Sequence, residues 1–276
     1  MNTYEALVQV REILGESIES HWSDRLIVSC LARTAMRFYM KMSMTRGDWF
    51  VKQASLSPSA GSVALPSDCA KPVYLEVTST NYQIPLRATV RDREKILTTG
   101  ASLSDFPVEA YVMGDYIKFS DTAYATACTL WYDKRLVRPI AGISTAGGAT
   151  SLTLENNMDH SPEDDYYNGI MMEIGDEDGG WEQAEVSDYD ATTRVLTLAT
   201  GSFGASYKYG SVPDLPQEAY DAWIARSAYM ASVKPAGVIK MDYVTLLRDD
   251  AKEAEKLLFE WISTRIKNVS RIGGVL

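Results

Sequence analysis

Two histidines and three cysteines are the residues from which this 276-residue chain could build nucleophilic or metal chemistry. His21 stands where a helix is expected to begin and His160 in an Asp/Asn-rich loop, so a triad with histidine as base has few candidates. No two Cys or His residues are spaced like a zinc-ligand pair. Cys30, Cys69 and Cys128 lie far apart, and an odd number cannot close into disulfides within one chain, which predicts free thiols in a reducing cytoplasm. A G-x-S-x-G elbow is absent. The Gly-rich stretches near Gly147 and Gly179 lack the strand-loop-helix context, and the following Lys-Ser or Lys-Thr, of a phosphate cradle. The expectation is therefore a non-enzyme with no cofactor and no bound metal.

Carboxylates are the one abundant chemical group. Residues 151–190 hold 13 acidic residues and no Lys or Arg, so a net charge of −10 leaves the remainder of the chain slightly basic, at +3. Glu163, Asp164, Asp165, Asp176 and Asp178 could in principle build a Ca²⁺ site or supply a carboxylate pair for glycoside hydrolysis. So dense a set brings some pair together by chance, however, and residues 176–180 depart from EF-hand spacing. The simpler reading is an electrostatic surface of solvated turns, carried by Glu163, Asp164, Asp165, Asp176, Glu177 and Asp178. A pI near 4.8 argues against a general nucleic-acid binder, although the basic remainder weakens that argument.

The elements that must position these groups can be read from periodicity. Ala6, Leu7, Val10, Ile13 and Leu14 recur at helical spacing over 3–14, with Asn2 or Thr3 as N-cap and Gly15 as C-cap. A longer helix is predicted over about 21–44, with Arg25, Arg33 and Arg37 along one flank, read as a solvated edge or as a contact for phosphate or an acidic partner. From Trp49 to about Asp133 the period falls to two, giving strands at 73–78, 82–88, 108–113, 116–120 and 128–132, and a short charged helix at 90–97. These strands predict one compact antiparallel sheet, because no helix long enough for repeated crossovers separates them.

Residues 140–150 read as a linker by composition. Strands follow at 151–154, 169–174, 181–186, 195–198 and 205–209. Asp214 and Pro216 introduce an Ala-rich helix over 217–233, ended by 235–237, and a final amphipathic helix spans about 242–267. The fold class expected is α+β. Helices from the two ends form one bundle around a central antiparallel β region, with a core of 1–140 and 211–276 and an acidic inserted β domain at 141–210. No apolar run reaches membrane-spanning length and the first residues lack a signal-peptide core, which predicts a soluble, unprocessed product and no membrane partner.

Taken in order, several stretches resemble the head-to-tail adaptor, or connector, proteins of tailed bacteriophages. Two N-terminal helices lead into Gly47-Asp48-Trp49-Phe50. Val63-Ala64-Leu65-Pro66-Ser67-Asp68 looks like the Leu-Pro-x-Asp turn that follows the first strand of that family. Strands at 73–77 and 84–88 resemble its paired strands; Pro107 to Tyr111, Gly114-Asp115-Tyr116-Ile117 and Thr129-Leu130-Trp131-Tyr132 resemble its closing meander. Asp214-Leu215-Pro216-Gln217-Glu218 is similar to the lead-in of its third helix. The resemblance covers roughly 1–135 and 211–268; each motif is weak alone, and their order carries the match. Within 141–210, Gly169 to Ile174 and Val186 to Asp190 resemble small β modules of phage neck and tail proteins.

The resemblance implies a virion protein of the neck, made in the host cytoplasm. It would form a homo-oligomeric ring, commonly of twelve subunits, under the portal protein and above a tail nozzle, tube or terminator protein. Double-stranded DNA would pass through without sequence-specific binding. By the same resemblance the segment after the last helix orders on the portal, which makes Arg265, Lys267, Arg271, Ile272, Val275 and Leu276 portal-contact candidates. In such a ring the 151–190 carboxylates are expected near the channel or an exposed rim, away from subunit interfaces, where they repel phosphate. An alternative is a tail-associated module that recognises carbohydrate or another tail protein through Trp181, Tyr166, Tyr167 and Tyr189 of the β insert.

Overall fold

A computed structural model describes residues 1–16, 21–45, 49–87, 109–156, 158–175, 180–233 and 240–272, with backbone alone at 87 and 265–272. The expected helix at 90–97 and the helix end at 235–237 lie outside the described residues. The protein is α+β, with four α-helices and three sheets among the described residues. It divides into two compact units, residues 48–135 and the remainder, 1–47 with 136–276.

In the larger unit, α1 (Thr3–Leu14) begins at Asn2, whose side chain accepts from Glu5 N–H at 2.8 Å while Glu5 Oε2 accepts from Asn2 N–H at 3.0 Å. This reciprocal box satisfies two donors that the first turn leaves over. Gly15, at φ 78°, closes the other end. The second helix, α2 (Asp24–Ser43), starts three residues later than its periodicity suggests, because Ser23 caps it by accepting from Leu26 N–H and the Trp22 indole points inward to donate to Ala231 O at 3.1 Å. A 3₁₀ turn (Gln217–Ala219) precedes α3 (Tyr220–Val233), and α4 (Met241–Ile272) ends the described chain. Asp214 does not cap α3; its N–H donates to Tyr39 Oη at 2.8 Å. The alanines of α3 let it pack against α1, α2 and α4 at once. Trp223, fully buried, donates from Nε1 to Leu31 O at 2.8 Å.

The same unit contains a seven-stranded antiparallel sheet in the order β10-β11-β14-β13-β12-β15-β9. Its strands are β9 (Ala141–Ile143), β10 (Ala146–Gly147), β11 (Ser151–Thr153), β12 (Met171–Gly175), β13 (Trp181–Asp190), β14 (Val195–Leu198) and β15 (Lys208–Ser211). The edge strands β9 and β10 are separated only by Ser144 and Thr145, a step of about 10 Å at full extension, so the sheet curls until its edges meet. Leu152, Met172, Val186, Leu196 and Tyr209 fill the interior. The stretch at 140–150 is thus part of a barrel and not a linker. Its small residues are required by close approach: a Cβ on Gly147 would lie 2.5 Å from the carbonyl oxygen of Phe203.

α1 is fastened to this barrel. Asn2 Nδ2 donates to Glu173 Oε2 at 2.7 Å, Thr3 Oγ1 donates to the Ser211 carbonyl at 2.7 Å, and a Cβ on Gly210 would meet Tyr4 N at 2.6 Å. These ties explain why the 141–211 strands share a compact unit with the helices, whereas the unit boundaries expected from sequence fell at 140 and 211.

The smaller unit holds two four-stranded sheets where one was expected. Strands β1 (Val51–Leu56), β8 (Cys128–Lys134), β3 (Cys69–Val77) and β4 (Gln83–Ile84) form the first, in that order; β2 (Ser62–Ala64), β7 (Tyr116–Phe119), β6 (Ala110–Met113) and β5 (Leu86–Arg87) form the second. Pro85 is the switch. It interrupts the run read as one strand at 82–88, offers no N–H, and its carbonyl accepts from Ala110 N–H at 3.0 Å. The chain therefore leaves β3 and joins β6, in the one parallel pairing among the described strands. Leu75, Ile84, Ile117, Phe119 and Leu130 pack between the sheets.

Candidate functional site

The residue types that could support catalysis are used structurally. Cys30 and Cys128 are buried, and burial raises the Cys128 thiol despite the Tyr124 hydroxyl 3.3 Å from its sulfur. Burial, with the nearby Asp68 and Asp133 charges, pushes Cys69 up to about 11. Thiols held this way are poor nucleophiles at neutral pH. His160 Nε2 donates to Glu155 O at 2.8 Å, and burial lowers its basicity, so the ring is neutral and closes a loop. Among the described residues no group of three or more His, Cys, Asp or Glu side chains is placed to hold a metal ion.

The acidic candidates that can be placed are turn formers. Asp164 Oδ1 accepts from Ala191 N–H at 2.9 Å and Asp165 Oδ1 from Asn168 Nδ2 at 2.8 Å. The hydrogen bond that the protonated Asp188 carboxyl donates to Asp165 holds this exposed group above its ordinary range. Glu163 is exposed, with its N–H donating to Ser161 Oγ at 3.2 Å. Asp176, Glu177 and Asp178 lie outside the described residues. The four aromatic candidates for recognition do not make one platform: Tyr167 and Tyr189 stack edge to face inside the barrel, 4.7 Å between centroids, and of the four only Trp181 is exposed.

Residues 65–68 have a defined task in the smaller unit. Cys69 N–H donates to Pro66 O at 2.9 Å, closing a turn, and Asp68 reaches out of it. Its Oδ2 accepts from Lys52 Nζ of β1 at 2.8 Å, and its Oδ1 from Tyr132 Oη of β8 at 2.8 Å. Burial pushes the Asp68 carboxyl up, but these hydrogen bonds and the Lys52 charge outweigh it, leaving it below the ordinary carboxylate range. A depressed folded-state value means that the stabilisation is present above the unfolded value near 4 and is lost as pH falls through the lowered folded one. Asp68→Asn is expected to cost about 1.5–3 kcal/mol at pH 7, the range of a charge-assisted hydrogen bond. Urea midpoints of variant and wild type, followed from pH 7 to 2, should converge at the acid end; a gap that stays constant refutes the latch.

The basic flank of α2 is laid out in three parts. Arg25 pairs with the exposed Asp159, Arg33 is exposed, and Arg37 Nη2 lies 3.7 Å from Glu255 of α4. Lys41 Nζ at 3.5 Å and Arg226 Nε at 3.3 Å approach the same carboxylate, so three cations from two helices share one acid. The portal-contact candidates Arg265, Lys267, Arg271 and Ile272 fall on the backbone of the last turns of α4. Val275 and Leu276 lie outside the described residues.

Sequence reasoning missed a groove of about 460 Å³ between the start of α3 and the middle of α4. Glu218, Asp221, Asp250 and Glu253 rim it over a floor that includes Leu257 and Trp261. Its acids come from segments about thirty residues apart in sequence, so only the packing of α3 on α4 assembles it.

No protein-family model matches the chain, and no curated protein matches it. No helix among the described residues is long and apolar enough to cross a membrane.

Proposed function

We propose that the chain is a structural virion protein, the head-to-tail adaptor of a tailed bacteriophage. In this reading it forms a ring, commonly of twelve subunits in similar proteins, beneath the portal protein. It joins the capsid to a tail nozzle, tube or terminator protein, and its lumen passes double-stranded DNA without reading sequence. The helices from the two ends of the chain act as one bundle, and the acidic 141–210 region faces the channel or a rim. No catalytic step is assigned.

The observation that carries the reading is the order of elements around the 65–68 turn. Two helices precede it, strands β3, β6, β7 and β8 follow it, and α3 returns to pack on α1 and α2. Leu65-Pro66-Ser67-Asp68 follows the short strand β2, the second of the chain, where the resemblance has the turn after the first, and Asp68 fastens that turn to two strands.

The test is capture by portal-bearing heads, read by electron microscopy of the neck. Wild type should add a ring of density under the portal, and a chain lacking residues 269–276 should fail to attach. A chain that never binds portal, as monomer or as oligomer, refutes the reading.

A further inference from the structure

Two faces of the helical unit complement one another. On α2 and its C-cap residue Met44, Arg33, Met36, Arg37, Met40 and Met44 recur at the spacing that places them on one side of a helix. Met40 is 56% exposed and Met44 84%, while Leu31, Phe38 and Met42 of the same helix are buried. Unbranched thioether side chains shown to water between arginines are well suited to irregular protein contacts. The groove between α3 and α4 offers the converse: four carboxylates, no Lys or Arg in its described lining, and apolar surface beneath, with Leu257 60% exposed. Leu246, 54% exposed, continues the same line of α4.

The two faces cannot meet within one chain. Arg37 and Lys41 of α2 reach Glu255, and Lys41 Nζ sits 4.4 Å from the Phe259 ring centroid, so Glu255 and Phe259 mark the flank of α4 that looks toward α2. Asp250, Leu257 and Trp261, at 100° per residue, stand roughly 150° away about the helix axis. The basic face and the acidic groove therefore lie on opposite flanks of α4.

We propose that the methionine–arginine face of α2 in one copy docks into the acidic groove between α3 and α4 of a second copy. This rests on the adaptor reading, and it names the contact that repeats around the ring. Met40 and Met44 cover Leu257 and Trp261, and Arg33, with the half-exposed Arg37 beside it still near Glu255 of its own chain, meets the rim carboxylates, as an amphipathic helix sits in a groove. The faces differ, so the contact is heterologous: each copy gives one face and receives the other, and the series closes into a ring or runs on as a filament. Opposite charge on the two faces also sets register and weakens with salt.

The experiment follows self-association of the full-length chain by sedimentation velocity, with far-ultraviolet circular dichroism to check folding. Asp250→Lys with Glu253→Lys, Arg33→Glu with Arg37→Glu, and Met40→Asp are each expected to raise the association Kd by about a hundredfold or more. An equimolar mixture of the two charge-reversed chains should recover assembly, since native groove meets native face and reversed groove meets reversed face. The proposal is overturned if the wild type stays monomeric at roughly 100 μM in low salt. It is overturned equally if the variants assemble like wild type, which leaves the groove to a basic helix of another protein, or if the mixture fails to recover. Portal capture is read separately, so a chain that binds portal while its groove variants assemble unchanged removes this contact and leaves the adaptor reading standing.

Discussion

Trp223→Ala is expected to destabilise the helical unit by about 3–5 kcal/mol, the range for truncating a fully buried aromatic side chain. The indole is inaccessible to solvent and its Nε1–H donates to Leu31 O, so it joins α3 to α2 by packing and by a directional bond. Removing it leaves a cavity in α3, the helix that packs most closely against each of the other three. Against a typical total of about 5–15 kcal/mol, the loss takes at least about a fifth of the unit's stability. The measurement is urea denaturation followed at 222 nm, where helices dominate the signal. Trp223→Phe retains most of the volume and gives up the hydrogen bond, so it should cost clearly less. Equal losses for the two substitutions would mean that the indole N–H, and not the packing, holds the helices.

Replacing Arg11 by Met should be comparably severe, for an electrostatic reason. Arg11 is 7% exposed; its guanidinium donates from Nε to Asp24 Oδ1 at 2.9 Å and lies 3.4 Å from Glu16 Oε2. Glu16 in turn accepts from the backbone N–H groups of His21, at 2.8 Å, and Trp22, at 3.3 Å, which ties the start of α2 to the end of α1. Without the guanidinium the Glu16 carboxylate stays charged in a poorly solvated corner, whereas Asp24, 30% exposed, keeps its contact with water; removing one partner of a buried ion pair costs about 3–5 kcal/mol. Adding Glu16→Gln removes the buried charge, so the double variant is expected to be more stable than Arg11→Met alone. Arg11→Lys should fall between, since an ammonium cannot reproduce the two-sided fork. Denaturation midpoints of wild type, Arg11→Met, Glu16→Gln and the double variant form a cycle, and additive effects would refute the network.

The helices were legible because 3.6-residue periodicity and caps are local properties: Asn2 and Gly15 announce α1 without help from the fold. The start of α2 was less so, because Trp22 turns inward to a carbonyl of Ala231 that is close only after folding. Alternation gave most strands but could not assign them to sheets. Pro85 determines that assignment, and one proline in an apolar run reads as a weakened strand rather than a change of partner. Residues 140–150 were misread because Gly, Ala, Ser and Thr signal flexibility by composition, whereas Gly147 is needed where the Phe203 backbone leaves no room for a Cβ. The acidic groove lay beyond sequence reasoning altogether. Asp250 and Glu253 belong to a charged helix face of the kind that is usually only solvated, and nothing local says that Glu218 and Asp221 will stand opposite them.

The way the barrel begins and ends has a consequence of its own. Its first strand, β9, pairs with its last, β15, with Ala141 opposite Gly210, and Ile140 N–H donates to Ser211 Oγ at 2.9 Å. The chain thus leaves for the barrel and comes back through a single doorway. Such a cassette can be enlarged, shortened or exchanged over generations without altering the distance that the flanking chain must cover. The same doorway governs how the barrel yields under load. Tension applied through residues 140 and 212 parts β9 from β15 at their common end, one hydrogen bond after another, as a zipper opens.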